Sequence, residues 1–262
     1  ITSGDYDYNT GKYLPGKGVG VIYVKKLTQG MIDDNVFPSV LKGTNSYYYR
    51  STDNDLVTNG ISLGTKLGRK LQVRGESRDL KHNRLDSGKI DKRLIAELGF
   101  GNERVFQTTF VEKYSDAFLH ISVDASGSMG GDKWRNTMVA TVAICKAVDM
   151  IQNVDVMVSF RSTHDSDRYG RGSNSLPLIL VAYDSRVDKL SKVRTLFPAL
   201  DVDGTTPEGL CFEAILKDLI PGNSNQDSYF INYSDGQPWY SNSEIRYGGE
   251  TAENHTRKMV SE

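Results

Sequence analysis

Phe118-Leu119-His120-Ile121-Ser122-Val123 is an apolar run that ends at Asp124, and Asp124-Ala125-Ser126-Gly127-Ser128-Met129-Gly130-Gly131 follows before a helical pattern begins. In residues 132–151 Trp134, Met138, Val142, Cys145, Val148 and Met150 fall near one broad face, and Ala140 and Ala143 add propensity. That spacing predicts an amphipathic helix. An apolar strand that breaks into a small polar loop and restarts as a helix is the opening half of a strand–helix–strand unit.

Downstream the alternation continues. Val154 to Phe160 reads as a strand, Arg161 to Ser175 as a polar loop, and Leu176 to Tyr183 as a second strand closing a hairpin. Residues 186–196 and 207–220 read as helices, with Pro207 suited to a first turn. Ser228 to Tyr233 is a further strand running into Ser234-Asp235-Gly236, and residues 250–262 form a polar, helix-compatible tail. Strands alternating with helices predict an α/β domain with a mostly parallel sheet flanked by helices. In such sheets ligands sit at the carboxyl ends of the strands.

Upstream the pattern is different. Residues 1–60 are rich in Gly, Asn, Asp and Tyr. Val19, Val21 and Tyr23, the stretch Val36 to Val40, and Tyr47-Tyr48-Tyr49 suggest short strands, and no helix is expected before residue 50. Gly16-Lys17-Gly18-Val19-Gly20 precedes a strand and reads as a turn rather than a phosphate-binding fingerprint. Ser51-Thr52-Asp53 looks like a helix start, and Leu56, Leu63, Leu67 and Leu71 recur at helical spacing, against which Gly60, Gly64 and Gly68 count. Residues 61–104 hold eleven basic and six acidic residues, a net +5. Such a segment is either a solvated surface or a docking patch for an acidic partner or nucleic acid, and its lack of interleaved aromatics argues against base stacking. The expected organisation is an irregular α+β accessory region over 1–60, a basic helical connector over 61–104, and the α/β domain over 105–262.

Composition narrows the classes. The chain has 262 residues, 25% of them charged, with 32 Lys plus Arg against 33 Asp plus Glu. These values exclude a disordered chain and a collagen-like repeat, and give no global field favouring nucleic acid or anionic lipid. No apolar run approaches the roughly 18 residues a membrane helix needs. The start at Ile1-Thr2-Ser3-Gly4, without Met or a basic-then-apolar leader, suggests a piece of a longer cytoplasmic protein. Cys145 and Cys211 lie in apolar helical patterns and read as buried thiols.

Several chemistries are missing. There is no Gly-x-x-x-x-Gly-Lys-Ser/Thr, no Gly-x-Ser-x-Gly and no His-Glu-x-x-His; His82, His120, His164 and His255 are scattered. His120, in an apolar strand, reads as a hydrogen-bonded core or face residue. Asp165-x-Asp167 followed by Gly170 lacks the Glu a calcium loop needs, because Leu176 stands there. What remains is a set of three polar loops at strand or helix ends: Asp124 to Ser128, Gly204-Thr205-Thr206-Pro207, and Ser234-Asp235-Gly236. They supply carboxylates and hydroxyls, a hard-oxygen set suited to Mg²⁺, Mn²⁺ or Ca²⁺. The plainer reading is that Asp124 and Ser126 cap the helix that follows.

At these loops the sequence resembles the von Willebrand factor A (VWA) domain with its metal-ion-dependent adhesion site, a Rossmann-like fold. The positions that match its metal ligands are Asp124, Ser126, Ser128, Thr206 and Asp235, with Thr205 the alternative to Thr206. A narrower resemblance runs through Arg84 to Asp91, Asp124 to Met129, Val202-Asp203-Gly204 and Ser234-Asp235-Gly236 to the CobT-type subunit of cobaltochelatase, which also occurs in bacteriophages. That subunit commonly has an acidic residue where Thr205-Thr206 stands here, so this chain keeps the more typical metal site. The resemblance implies that hydroxyls contact the ion directly, aspartates contact it directly or through water, and one position stays open for a partner's Asp or Glu. It implies an AAA+ ATPase partner of the MoxR or CobS kind and no catalytic residues in this chain alone. Trp134 and Trp239 are either surrounding contacts or core. The alternatives are a subunit of a metal chelatase acting on a tetrapyrrole, and a structural or adhesive phage protein assembled through residues 1–60. The expected location is accordingly cytoplasm, or a virion. Family sheets usually have six strands; only four are found after residue 105, so the domain is expected to be C-terminally incomplete.

Overall fold

The computed structural model describes residues 5–7, 12–14, 19–42, 50–75, 79–111, 116–164, 175–218, 226–242 and 245–261. In chain order the elements are β1 (Asp5–Asp7), β2 (Lys12–Leu14), β3 (Ile22–Val24), α1 (Gln29–Asp33), α2 (Arg50–Gly75), β4 (Asp79–Leu85), β5 (Lys89–Ile90), α3 (Ile95–Leu98) and β6 (Phe106–Val111). There follow β7 (Asp116–Asp124), α4 (Asp132–Val148), β8 (Val154–Thr163), β9 (Pro177–Asp184), α5 (Ser191–Leu196), α6 (Glu208–Asp218), β10 (Gln226–Tyr233), β11 (Tyr240–Ser241), β12 (Arg246–Tyr247) and α7 (Gly249–Ser261).

The central sheet has the order β10-β7-β8-β9-β3. β7 is parallel to both β10 and β8, β9 is antiparallel to β8, and β3 is parallel to β9. β7 lies inside the sheet and is almost wholly buried, which is why it reads as a continuous apolar run rather than an alternation. On one face Ile121, Val123, Val156, Val158 and Phe160 pack with Trp134, Met138, Val142 and Cys145 of α4. On the other, Phe118, Met157, Ile179 and Val181 pack with Cys211, Phe212 and Ile215 of α6 and Met259 of α7. The chain is thus mixed α/β with a mostly parallel sheet between helices.

The glycines that argued against α2 explain its packing. A Cβ on Gly60 would stand 2.7 Å from Val142 Cβ, one on Gly64 2.4 Å from the Ala143 carbonyl oxygen, and one on Gly68 2.8 Å from Met150 Sδ. Spaced by four, the three glycines form one bare stripe along which α4 approaches. Helix propensity is given up so that two backbones can approach closely.

Other expectations are corrected. A helix does precede residue 50: α1, capped by the Thr28 hydroxyl, which accepts the Met31 N–H at 3.4 Å. At five residues it is too short to show a period. Val36 to Val40 is a turn, not a strand; Val40 and Leu41 are buried in the core shared with β7 and β8. The connector is not helical throughout, since β4, β5 and β6 form an antiparallel sheet in the order β4-β6-β5. Nor does the sheet respect a boundary near residue 104, because β3 forms its edge. Arg161 to Thr163 continue β8 and are buried rather than opening a polar loop. The helix expected over 186–196 is only α5, and α4 stops at Val148. Tyr47 to Tyr49, Gly16 to Gly18 and Asp165 to Gly170 lie outside the described residues. Among those described, no helix is long and apolar enough to cross a membrane.

Candidate metal centre

Asp124 is the last residue of β7. Tyr233, the last of β10, pairs with Val123, so Ser234 and Asp235 leave the sheet beside Asp124. The Asp124 carboxylate is fully buried and engaged on both oxygens: Oδ1 accepts the Ser126 N–H at 2.9 Å and Oδ2 accepts the Ser234 hydroxyl at 3.0 Å. The first contact is a turn that Asp side chains favour. It points the chain upward and presents Ser126 and Ser128, whose Oγ atoms are 3.0 Å apart. The Ser128 hydroxyl donates to Asp235 Oδ1 at 2.8 Å. Four of the five expected ligands therefore lie in one linked cluster.

The threonine loop is tied to the same rim. Asp203 N–H donates to the Ala125 carbonyl at 3.0 Å and Gly127 N–H to the Gly204 carbonyl at 3.3 Å. Gly204 has φ +79°, and a Cβ there would meet Thr163 Oγ1 at 2.4 Å and Ser162 Oγ at 2.7 Å, so both conformation and space require glycine. Thr206 exchanges both backbone hydrogen bonds with Trp239, at 2.9 and 3.0 Å. Thr205 and Thr206 are both buried, and among the described residues Thr205 Oγ1 has no hydrogen-bond partner. Trp239 is half-exposed beside this loop, whereas Trp134 is buried edge-on against Phe160.

These residues fit a hard divalent cation. Octahedral oxygens at about 2.0–2.1 Å from Mg²⁺ stand about 2.9 Å apart along an edge. The Ser126–Ser128 and Ser128–Asp235 oxygen separations, 3.0 and 2.8 Å, are close to that edge length. Among the described residues the buried Thr205 hydroxyl has no hydrogen-bond partner, which leaves its oxygen available to a cation. Among the described residues no three His, Cys, Asp or Glu side chains gather, so the donors here are two carboxylates with hydroxyls.

Three residues that sequence reasoning passed over shape this rim. Lys133, in the first turn of α4, donates to Asp235 Oδ2 and, at 3.4 Å, to the Ser128 carbonyl. Burial pushes the Asp235 carboxyl up, but the hydrogen bonds from Lys133 and Ser128 outweigh it and hold it below the usual carboxylate range. Beneath the loops, Arg161 is fully buried opposite Asp124 in the β7–β8 register. Its guanidinium donates to Ser122 Oγ at 2.8 Å, Glu208 Oε1 at 2.8 Å and the Tyr233 carbonyl at 3.4 Å. Glu208 opens α6 immediately after Thr206 and Pro207, and also accepts from Asn232 Nδ2 at 2.8 Å. One cation thus ties β7, β8, β10 and the start of α6 together where the three loops emerge. The signal for it was an Arg at the end of an apolar run.

Elsewhere, His120 is buried with Nε2 2.8 Å from Ser159 Oγ, and burial lowers its pKa to about 3. Cys145 and Cys211 are buried free thiols whose pKa values burial raises, that of Cys211 to about 12. Comparison with protein-family models finds no match, and comparison with curated proteins finds no significant relative.

Proposed function

We propose that the chain is a divalent-metal-dependent protein-interaction module of the VWA type. Asp124, Ser126, Ser128, Thr206 and Asp235 hold Mg²⁺, or Mn²⁺ or Ca²⁺, with Thr205 the alternative to Thr206. The observation that carries this reading is the hydrogen-bonded cluster of Asp235, Ser128 and Ser126 at the carboxyl end of β7, where sheets of this class bind ligands.

The ion supplies Lewis acidity toward an anionic oxygen. The chain's own residues orient it: Asp124, held on both oxygens, fixes the serine turn, and the Thr206–Trp239 pairing fixes the threonine loop. A set with two carboxylates and several neutral hydroxyls leaves the ion electrophilic toward an Asp or Glu of a partner. The partner proposed from the resemblance is an AAA+ ATPase of the MoxR or CobS kind.

The test is affinity capture with wild-type and Asp124→Ala protein, each in magnesium and then in chelator. Capture by wild-type protein in magnesium alone supports the reading. Capture unchanged by chelator and by the substitution overturns it.

A further inference from the structure

We infer that Lys133 is the built-in counter-cation of this site, lowering its affinity for the metal and leaving the loaded site with a net positive charge. The inference rests on the metal-site reading above and concerns what sets its strength and its preference for anions.

The geometry carries it. Lys133 is the second residue of α4, which begins at Asp132 after Gly131, whose φ of +79° turns the chain into the helix. Its side chain is largely exposed yet folds back over the rim, with Nζ against Asp235 Oδ2 and 3.4 Å from the Ser128 carbonyl. Asp235 is mostly buried and presents its other oxygen, Oδ1, to Ser128. The carboxylate is therefore divided between a hydroxyl on the ligand side and an ammonium on the outer side.

Charge follows from this arrangement. Asp124 and Asp235 supply two negative charges and Lys133 cancels one. With a divalent ion bound, the set is net +1 with Lys133 and neutral without it. The added positive charge gives longer-range attraction for a partner's carboxylate, on top of the Lewis acidity of the ion itself. The same ammonium repels the incoming ion, so metal affinity is lower than the five ligands alone would give. A long exposed stem is a poor clamp but an effective local charge. Lys133 acts through charge and is not itself a ligand.

Mn²⁺ alone is the probe. Its binding is measured by calorimetry and by electron paramagnetic resonance at low ionic strength, on wild-type, Lys133→Met, Lys133→Gln and Lys133→Arg proteins. Both neutral variants are expected to bind Mn²⁺ at least about threefold more tightly, and Lys133→Arg within about twofold of wild type. The difference should shrink in high salt. Lys133→Gln keeps a hydrogen-bond donor, so tightening in both neutral variants assigns the effect to charge. Wild-type binding with equal or weaker binding by the neutral variants overturns the inference and leaves the metal site standing. Absence of Mn²⁺ binding by every protein overturns both.

Discussion

Arg161 Nη2 stands 2.8 Å from Glu208 Oε1, an ion pair buried beneath three loops that are far apart in sequence. Arg161 lies in the last third of β8, opposite Asp124, and Glu208 opens α6, so the pair fixes the strand that flanks Asp124 to the helix that follows Thr206. A buried pair adds little against an apolar replacement, but breaking it strands a charge.

Arg161→Met is therefore expected to cost about 3–5 kcal/mol in denaturant unfolding, because Glu208 is left uncompensated. The double variant Arg161→Met with Glu208→Met should recover much of that loss. A double variant as unstable as the sum of its singles would mean that the two residues do not act as a pair.

Gly64→Ala reports on the α2–α4 contact. In an exposed helix the change gains about 1 kcal/mol. Here the new Cβ meets a backbone oxygen, Ala143 O, at 2.4 Å, and the net effect is expected to be a loss of about 2 kcal/mol. Gly20→Ala, with nothing within 4 Å, is the control and should stay within about 0.5 kcal/mol of wild type. A stabilised Gly64→Ala protein would contradict the close approach.

His120 gives stability a defined pH dependence. Its folded pKa is lowered to about 3, below the unfolded value of 6.5, so the unfolded chain takes up the proton first. Stability from this group is present above about pH 6.5 and is lost as pH falls toward 3, with a limiting slope of about 1.4 kcal/mol per unit. His255 is shifted in the same direction. His120→Gln should flatten the profile in this window by close to one proton, measured as unfolding free energy against pH; an unchanged slope would place the histidine in water.

The tryptophans should separate by quenching. Trp239 is half-exposed beside Thr206 and Trp134 is buried. Acrylamide is expected to quench one fraction of the emission readily, and Trp239→Phe to remove that fraction. If Trp134→Phe removes it instead, the placement of the two rings is wrong.

Much of this was legible in the sequence. The strand ending at Asp124, the helix after it, the hairpin β8–β9 and β10 follow from long apolar periods. So does the meeting of Asp124, Ser126, Ser128 and Asp235, since parallel strands bring their carboxyl ends to one rim. Three kinds of feature were not legible. Ile22 to Val24 joins the sheet through β9, a pairing that no local period encodes. Gly60, Gly64 and Gly68 oppose helix propensity because tertiary contact outweighs it. Arg161 reads as the start of a loop because a charge at a strand end looks solvated until Glu208, 47 residues on, arrives to pair with it.

Asp124, Ser126, Ser128, Thr206 and Asp235 are proposed as one divalent-cation site. Titration of the wild-type chain and Asp124→Asn with Mn²⁺, followed by electron paramagnetic resonance, tests it most directly. Wild type is expected to bind one ion per chain, displaced by excess Mg²⁺, and Asp124→Asn to lose it with the fold intact by circular dichroism. Absence of a bound ion in the folded wild-type chain, or equal binding by Asp124→Asn, would contradict it.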